Sequence, residues 1–263
     1  MESKVLKLAS GLVRYWKGGE GPPLLLVHGA WGDAIAHWGR AWPALAEHHT
    51  VLAPDLPGWG ASERQPRAST TRLAQSLAAV LAAEDLGPAC VVGNSFGAAL
   101  AWQLAGDRPA AVDRLVLVNG GPAPVLPGWL RRIAANGLAR AVLLAGLRRA
   151  SFSRGAIEKA LVEPQAFPQD FVDRALEQSA AAAEIGLDAF RFQYGRPAAP
   201  AASVSLLWGD RDTLATWSSA ERLAARLKAR LVAVPGAGHL PQVHKPDVFV
   251  RRLLELSGSG AAA

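Results

Sequence analysis

A single cysteine, Cys90, occurs in the 263 residues. A lone thiol cannot close a disulfide within its own chain, so a disulfide-stapled scaffold is excluded. Long apolar runs are missing as well. The longest, such as Leu24–Val27 and Ala141–Leu147, fall well short of the roughly 20 residues that span a bilayer. Glycine recurs without a fixed period, which excludes fibrous folds. The opening residues Met1-Glu2-Ser3-Lys4 contain no apolar signal region, and the expectation is a soluble, cytoplasmic protein. Half of the residues are hydrophobic and only 19% are charged, a balance that excludes intrinsic disorder.

The basic excess of six charges is mostly arginine, but no zinc-finger spacing, basic zipper or aromatic RNA-binding signature accompanies it. No nucleic-acid partner is expected. Clustered metal ligands are also lacking, as is any phosphate loop or dinucleotide fingerprint after a strand, so no metal or organic cofactor is implied.

What the chain does contain is an alternation of short apolar runs and helical patterns. The runs predict strands at Val5–Leu8, Leu12–Trp16, Leu24–Val27, Val51–Ala53, Ala89–Val92, Leu115–Val118, Val204–Trp208 and Leu231–Val234. The later ones show no polar alternation, as suits parallel strands buried on both faces. Between them, Ser69-Thr70-Thr71 offers capping hydroxyls to a helix with Leu73, Leu77, Val80 and Leu81 on one face. Further helices are expected from Ser95 to before Pro109, over Ser218–Leu227 and over Asp247–Leu256. This order predicts an α/β fold with a mostly parallel eight-stranded sheet and helices on both faces. The alternation lapses once, from Pro122 to Pro200, where only helical patterns occur. That segment reads as a helical insertion between two core strands. From Pro122 to Ile157 it holds six arginines and no carboxylate.

Gly93-Asn94-Ser95-Phe96-Gly97 follows an apolar strand and opens a helix. A G-x-S-x-G sequence in that context makes a sharp turn that lifts the serine hydroxyl over the sheet edge, at the positive end of a helix. A serine hydroxyl needs a base to become nucleophilic. Of the six histidines, His239 is placed best, in the loop after the last strand. His48 and His49 fall at a helix end, where solvation is expected; His28 opens a loop, His37 falls within a helix and His244 lies one turn past His239. A carboxylate must orient the imidazole. Asp210 and Asp212 both follow the Val204–Trp208 strand, and either can fill that place; the other would cap the loop or pair with Arg211. Two backbone amides are also needed to hold a developing oxyanion. Phe96, directly after the serine, supplies one, and Ala30 in the glycine-containing loop His28–Gly32 is best placed for the other. Trp31 and Trp129 are candidates to line a substrate pocket, with plain core packing as the alternative.

Taken together, His28–Gly32, the run Asp55–Ser62, Gly93–Gly97 and the pair Gly209–Asp212 with Gly238-His239 resemble the α/β-hydrolase superfamily, in its small branch with a helical cap. The resemblance implies a hydrolase core at 1–121 and 201–256 and a cap at 122–200, while the Ser-Gly-Ser-Gly-Ala-Ala-Ala end, 257–263, reads as a flexible tail. Its G-x-x-D spacing makes Asp212 the acid and gives His28 and Asp55 structural roles. The acid site that some members place after the sixth strand holds Asn119 here, which cannot serve. A serine nucleophile sets the chain apart from haloalkane dehalogenases and epoxide hydrolases, which use aspartate. Asn94 is similar to the carbon–carbon bond hydrolases of aromatic ring degradation, although Leu240 stands where those carry tryptophan.

The activity expected is therefore carboxylic ester hydrolysis by Ser95, Asp212 and His239, acting on a small-molecule ester. The alternatives are a thioesterase whose arginines dock an acyl carrier protein, a carbon–carbon bond hydrolase, or a non-hydrolytic binding protein on the same fold.

Overall fold

The computed structural model describes residues 1–125, 127–192 and 197–258. All eight expected runs form strands, within a few residues of the expected bounds: β1 Glu2–Leu8, β2 Gly11–Gly18, β3 Pro23–Val27, β4 Thr50–Pro54, β5 Ala89–Asn94, β6 Val112–Val118, β7 Ser203–Gly209 and β8 Arg230–Val234. They form one sheet in the order β1-β2-β4-β3-β5-β6-β7-β8, with β1 and β2 antiparallel to their neighbours and the rest parallel. The central strands are buried along their length, which is why they read as unbroken apolar runs.

Twelve α-helices occur among the described residues. Before β5 come α1 Ala34–Trp38, α2 Trp42–Ala46 and α3 Thr70–Ala83; α4 Phe96–Asp107 follows β5. After β7 come α10 Trp217–Leu227, α11 Pro241–His244 and α12 Pro246–Ser257. Ser69 caps α3, its hydroxyl accepting from the Arg72 amide at 3.1 Å. One core, between the sheet and α3, α4 and α10, gathers Leu25, Leu73, Leu77, Leu100 and Leu206. On the opposite face Leu24, Val92, Trp38, Leu45 and Phe249 form the second, under α1, α2 and α12.

Between β6 and β7 the chain forms only helices among its described residues: α5 Gly128–Ile133, α6 Gly137–Ser151, α7 Arg154–Ala160, α8 Phe171–Glu177 and α9 Ser179–Arg191, with a 3-10 turn at Pro164–Ala166. Named links tie this segment to the sheet domain. Trp31 Nε1 donates to the Ser151 carbonyl at 2.9 Å, the Gly60 amide donates to Gln178 Oε1 at 3.1 Å, and Arg64 pairs with Glu184 at 2.7 Å. Arg40 donates at 2.6 Å to the carbonyl of Ala166 and at 2.7 Å to that of Val243, so one guanidinium straps the segment to α11.

Two expectations are corrected here. His49 is buried, with Nδ1 against the Pro22 carbonyl at 3.1 Å and Nε2 against Ser257 Oγ at 3.0 Å. The last helix packs back on the loop that carries it, which a local reading of a helix end cannot foresee; His48 is exposed as expected. The expected flexible tail therefore begins too early. Ser257 ends α12 and is buried, Gly258 caps that helix at φ 83°, and residues 259–263 lie outside the described residues.

A half-buried hub ties the first hairpin to the end of α3. The Glu84 carboxylate accepts from Lys4 Nζ at 3.0 Å, Tyr15 Oη at 2.6 Å and Lys17 Nζ at 2.5 Å. Burial alone would raise its pKa, but these three donors outweigh burial and bring it down to about 2 from 4.5. Burial, followed by the bond to Glu84, pushes the Tyr15 hydroxyl up to about 12. Because the folded carboxyl is the stronger acid, the hub's stabilisation is complete above pH 4.5 and fades as pH falls toward 2. Glu84→Gln is expected to cost about 1–3 kcal/mol at neutral pH. Urea unfolding of both proteins should show this gap closing as the pH is lowered.

Candidate active site

The site lies at the carboxyl ends of β3, β5, β6, β7 and β8. The strand register pairs Asn94 with Val118 and Gly209 with Val234, so the loops that follow these strands emerge side by side. Ser95 sits on the turn from β5 into α4 at φ 53°, ψ −113°, a conformation that costs a non-glycine residue about 1–3 kcal/mol. The turn is tight enough to require both glycines. A Cβ on Gly93 would overlap the Gly97 carbonyl, and one on Gly97 would overlap the carbonyls of Val27 and His28.

Ser95 Oγ lies 2.9 Å from His239 Nε2, and His239 Nδ1 lies 2.7 Å from Asp212 Oδ2. Asp212 is held on every side. Asn119 Nδ2 donates to Oδ2 at 2.6 Å, and the amides of Leu214 and Ala215 donate to Oδ1 at 2.8 and 3.1 Å. Burial of this carboxyl favours its neutral form, but the bond to His239, helped by Asn119 and the Leu214 amide, keeps its pKa below the ordinary value. A carboxylate that stays charged fixes the imidazole with Nδ1 protonated and Nε2 free to take a proton from Ser95. Asp210 is elsewhere, accepting from the Gly236 amide at 2.8 Å and so closing the β8 loop.

Asn119 thus has a positioning role that the sequence reading did not assign. Its Oδ1 also accepts from the Gly209 amide at 3.1 Å, which ties β6 to the loop that carries Asp212. The residue adopts φ 45°, and a non-glycine in that region is the signal that marks it. Asn94, beneath the serine, donates at 3.1 Å to the His239 carbonyl and at 3.2 Å to that of Val118.

The loop after β3 carries Ala30 to the cavity over Ser95, which Ala30 and Phe96 both line. Neither backbone amide donates to another described residue, and the Phe96 amide opens α4, where the helix dipole favours negative charge. Two buried histidines brace this loop. His28 bridges the Gly29 carbonyl at 2.7 Å and the Leu56 amide at 2.9 Å, while His37 Nε2 meets the Trp31 carbonyl at 2.7 Å. Burial lowers both pKa values, that of His37 to about 3, so both are neutral supports. Asp55 binds Arg14 at 2.5 Å and accepts from the amides of Ala34 and Ala61.

The cavity over Ser95 holds about 450 Å³. Its walls include Trp31, Trp59, Phe152, Leu147 and Leu240, and the described lining contains no Asp, Glu, Lys or Arg. Trp31 lies edge-on to His239 with ring centroids 5.7 Å apart. Trp129 is not part of the wall. It is 64% exposed on α5, whereas Pro122–Pro124, ahead of that helix, line the cavity. Phe152 and Trp59 supply the aromatic surface instead. Among the described residues no three His, Cys, Asp or Glu side chains gather as a metal site.

The model of the alpha/beta hydrolase family matches residues 24–252. The chain belongs to this family. Among curated proteins, the pyrrolizixenacetamide deacetylase of Xenorhabdus hominickii is 36% identical over 115 residues, 43% of each chain. The 2-hydroxymuconate semialdehyde hydrolase of Pseudomonas sp. CF600 is 39% identical over 117 residues, 42% of this chain and 41% of that one. The aligned stretch thus spans about two fifths of the length of these two relatives. Among solved structures, an alpha/beta hydrolase fold protein from Burkholderia ambifaria superposes with a TM-score of 0.74 at 26% identity, covering 96% of this chain and 97% of that one.

Proposed function

We propose that this hydrolase cleaves a carboxylic ester through an acyl-enzyme on Ser95. The observation that carries this reading is the unbroken Ser95–His239–Asp212 hydrogen-bonded chain, set at the base of an apolar cavity. His239 Nε2 takes the Ser95 proton as Oγ attacks the acyl carbon, and the carbonyl oxygen becomes an anion between the amides of Ala30 and Phe96. As that intermediate collapses, His239 returns the proton to the departing alcohol. A water, deprotonated by the same nitrogen, then attacks the acyl carbon, and the carboxylic acid leaves with Ser95 restored. Asp212 stays ionised throughout and stabilises the imidazolium. Helices α5–α9 act in this reading as a cap whose inner face, through Leu147, Ser151 and Phe152, shapes the acyl pocket.

The composition of the cavity selects among substrates. A muconate semialdehyde, the substrate named for one relative, bears a carboxylate, and the described lining of this cavity holds no Lys or Arg to meet it. An uncharged ester is the better fit. A carrier-bound acyl group is favoured less: of the six arginines proposed to dock a carrier, Arg140 pairs with Asp188 at 2.8 Å and Arg154 pairs with Asp173.

Two measurements test the proposal. A fluorophosphonate should label the protein once, on Ser95 by peptide mass spectrometry, and a p-nitrophenyl ester series should show turnover with an optimum chain length. Gly186 of α9 lines the cavity with open space where a side chain would begin. Gly186→Leu is expected to shift the optimum to shorter acyl chains and to cut kcat/KM for the longest by about tenfold or more. Absence of both labelling and turnover would reject ester hydrolysis.

A further inference from the structure

The large apolar side chains that are exposed are not scattered. Among the described residues, four of them fall on α5 and α6: Trp129 at 64%, Ile133 at 42%, Leu138 at 78% and Val142 at 65%. On each helix the pair is spaced four residues apart, on one side of the helix. On α6 the exposed stripe continues through Ala145 to Arg149, while Leu144 and Leu147 turn inward and pack against the core. A stripe of this kind calls for a partner, since water is a poor neighbour for so much apolar surface in one place.

Its charge is one-sided along the chain, although Asp188 and Asp173 from α9 and α8 pair with Arg140 and Arg154. No carboxylate occurs from Pro122 to Ile157. Arg132, Arg148 and Arg149 are exposed, and none has a carboxylate partner among the described residues. Its position is also informative. Pro122–Pro124 before α5, and Leu147, Ser151 and Phe152 at the end of α6, contribute to the wall of the cavity over Ser95. Leu214, 56% exposed, belongs to the same wall from the β7 loop. The apolar stripe is therefore continuous in the chain with the rim of the active-site cavity.

We infer that the α5–α6 face docks on an anionic phospholipid surface. The combination is that of a helix lying in the membrane interface: tryptophan and aliphatic side chains enter the headgroup layer, and the arginine guanidiniums reach the phosphates. A second copy of the chain fits less well, because a symmetric contact would set these arginines against one another. An acidic protein would meet the arginines but leaves Leu138 and Val142 without a reason to be uncovered. Docking in this way sets the cavity rim against the lipid. The inference does not rest on the ester-hydrolase reading, and its test needs no turnover.

The test is co-sedimentation with vesicles of phosphatidylcholine alone and of phosphatidylcholine mixed with phosphatidylglycerol, at low and high salt. The wild-type protein is expected to pellet with the anionic vesicles and to be released by salt. Two double variants separate the contributions, Leu138→Ser with Val142→Ser and Arg148→Glu with Arg149→Glu. All four side chains are exposed, and thermal melting checks that both variants fold. Each is expected to weaken anionic-vesicle binding by about tenfold or more. The inference is overturned if the wild-type protein ignores anionic vesicles, or if the Leu138/Val142 variant binds as well as wild type, since net charge alone would then explain pelleting. It is equally overturned if the substitutions instead disrupt a dimer or salt-sensitive binding to an acidic carrier protein while vesicle binding is absent.

Discussion

Ser95→Ala is expected to lower kcat toward a p-nitrophenyl ester by roughly five to six orders of magnitude, with the protein folded and its thermal midpoint near that of wild type. The hydroxyl is the only group removed, and its one partner among the described residues is His239 Nε2 at 2.9 Å, so little structure depends on it. His239→Ala should lose a similar amount, and the double variant no more than either alone, because nucleophile and base act as a unit. Asp212→Asn should lose about four orders, through the tautomer it imposes. An amide at this place can donate to His239 Nδ1 and so leave the proton on Nε2, where it blocks the base. Steady-state kinetics on purified variants settles all four; additive losses would break the triad reading. Asn119→Ala should act through Asp212, lowering kcat and leaving KM nearly unchanged, since it removes a 2.6 Å donor from the carboxylate.

A large loss of stability is expected at Gly97. Valine there would drive its Cβ into the backbone carbonyls of Val27 and His28, atoms that cannot rotate away. Either α4 lifts off the end of β3 or β3 itself shifts, and each movement separates Phe96 from Ala30. A loss of about 3 kcal/mol or more is expected, above the usual range for an overpacked core position because the collision is with main chain. Gly146→Ala is the control. It lies within α6 with nothing near its Cβ position, and should raise stability by up to about 1 kcal/mol. Thermal melting of both variants beside wild type checks the contrast.

Much of this molecule could be read from its residues, for identifiable reasons. Strands buried on both faces leave unbroken apolar runs such as Leu24–Val27, and the turn around Ser95 needs glycine at two fixed places, so both leave local marks. The loops bearing Asp212 and His239 follow strands whose order in the sheet brings them beside Ser95. What could not be read depends on which distant segment arrives to cover a residue. Trp129 has the composition of a pocket wall, yet nothing in its helix says which side will meet the cavity. His49 reads as solvated until α12 returns to place Ser257 against it. Asn119 could be rejected as an acid from its chemistry alone, but its role in holding Asp212 required the geometry of two neighbouring strands.

The cavity's lack of charge also bears on how the proposed reaction ends. An ester enters as a neutral molecule, but at neutral pH its acid half leaves as an anion. Away from the amides of Ala30 and Phe96 and the imidazole of His239, the described lining holds no Lys or Arg to receive that charge. Keeping the newly formed carboxylate would mean burying an uncompensated ion, which is costly. The same walls that retain the uncharged reactant thus hold the ionised product weakly, and this difference favours its release.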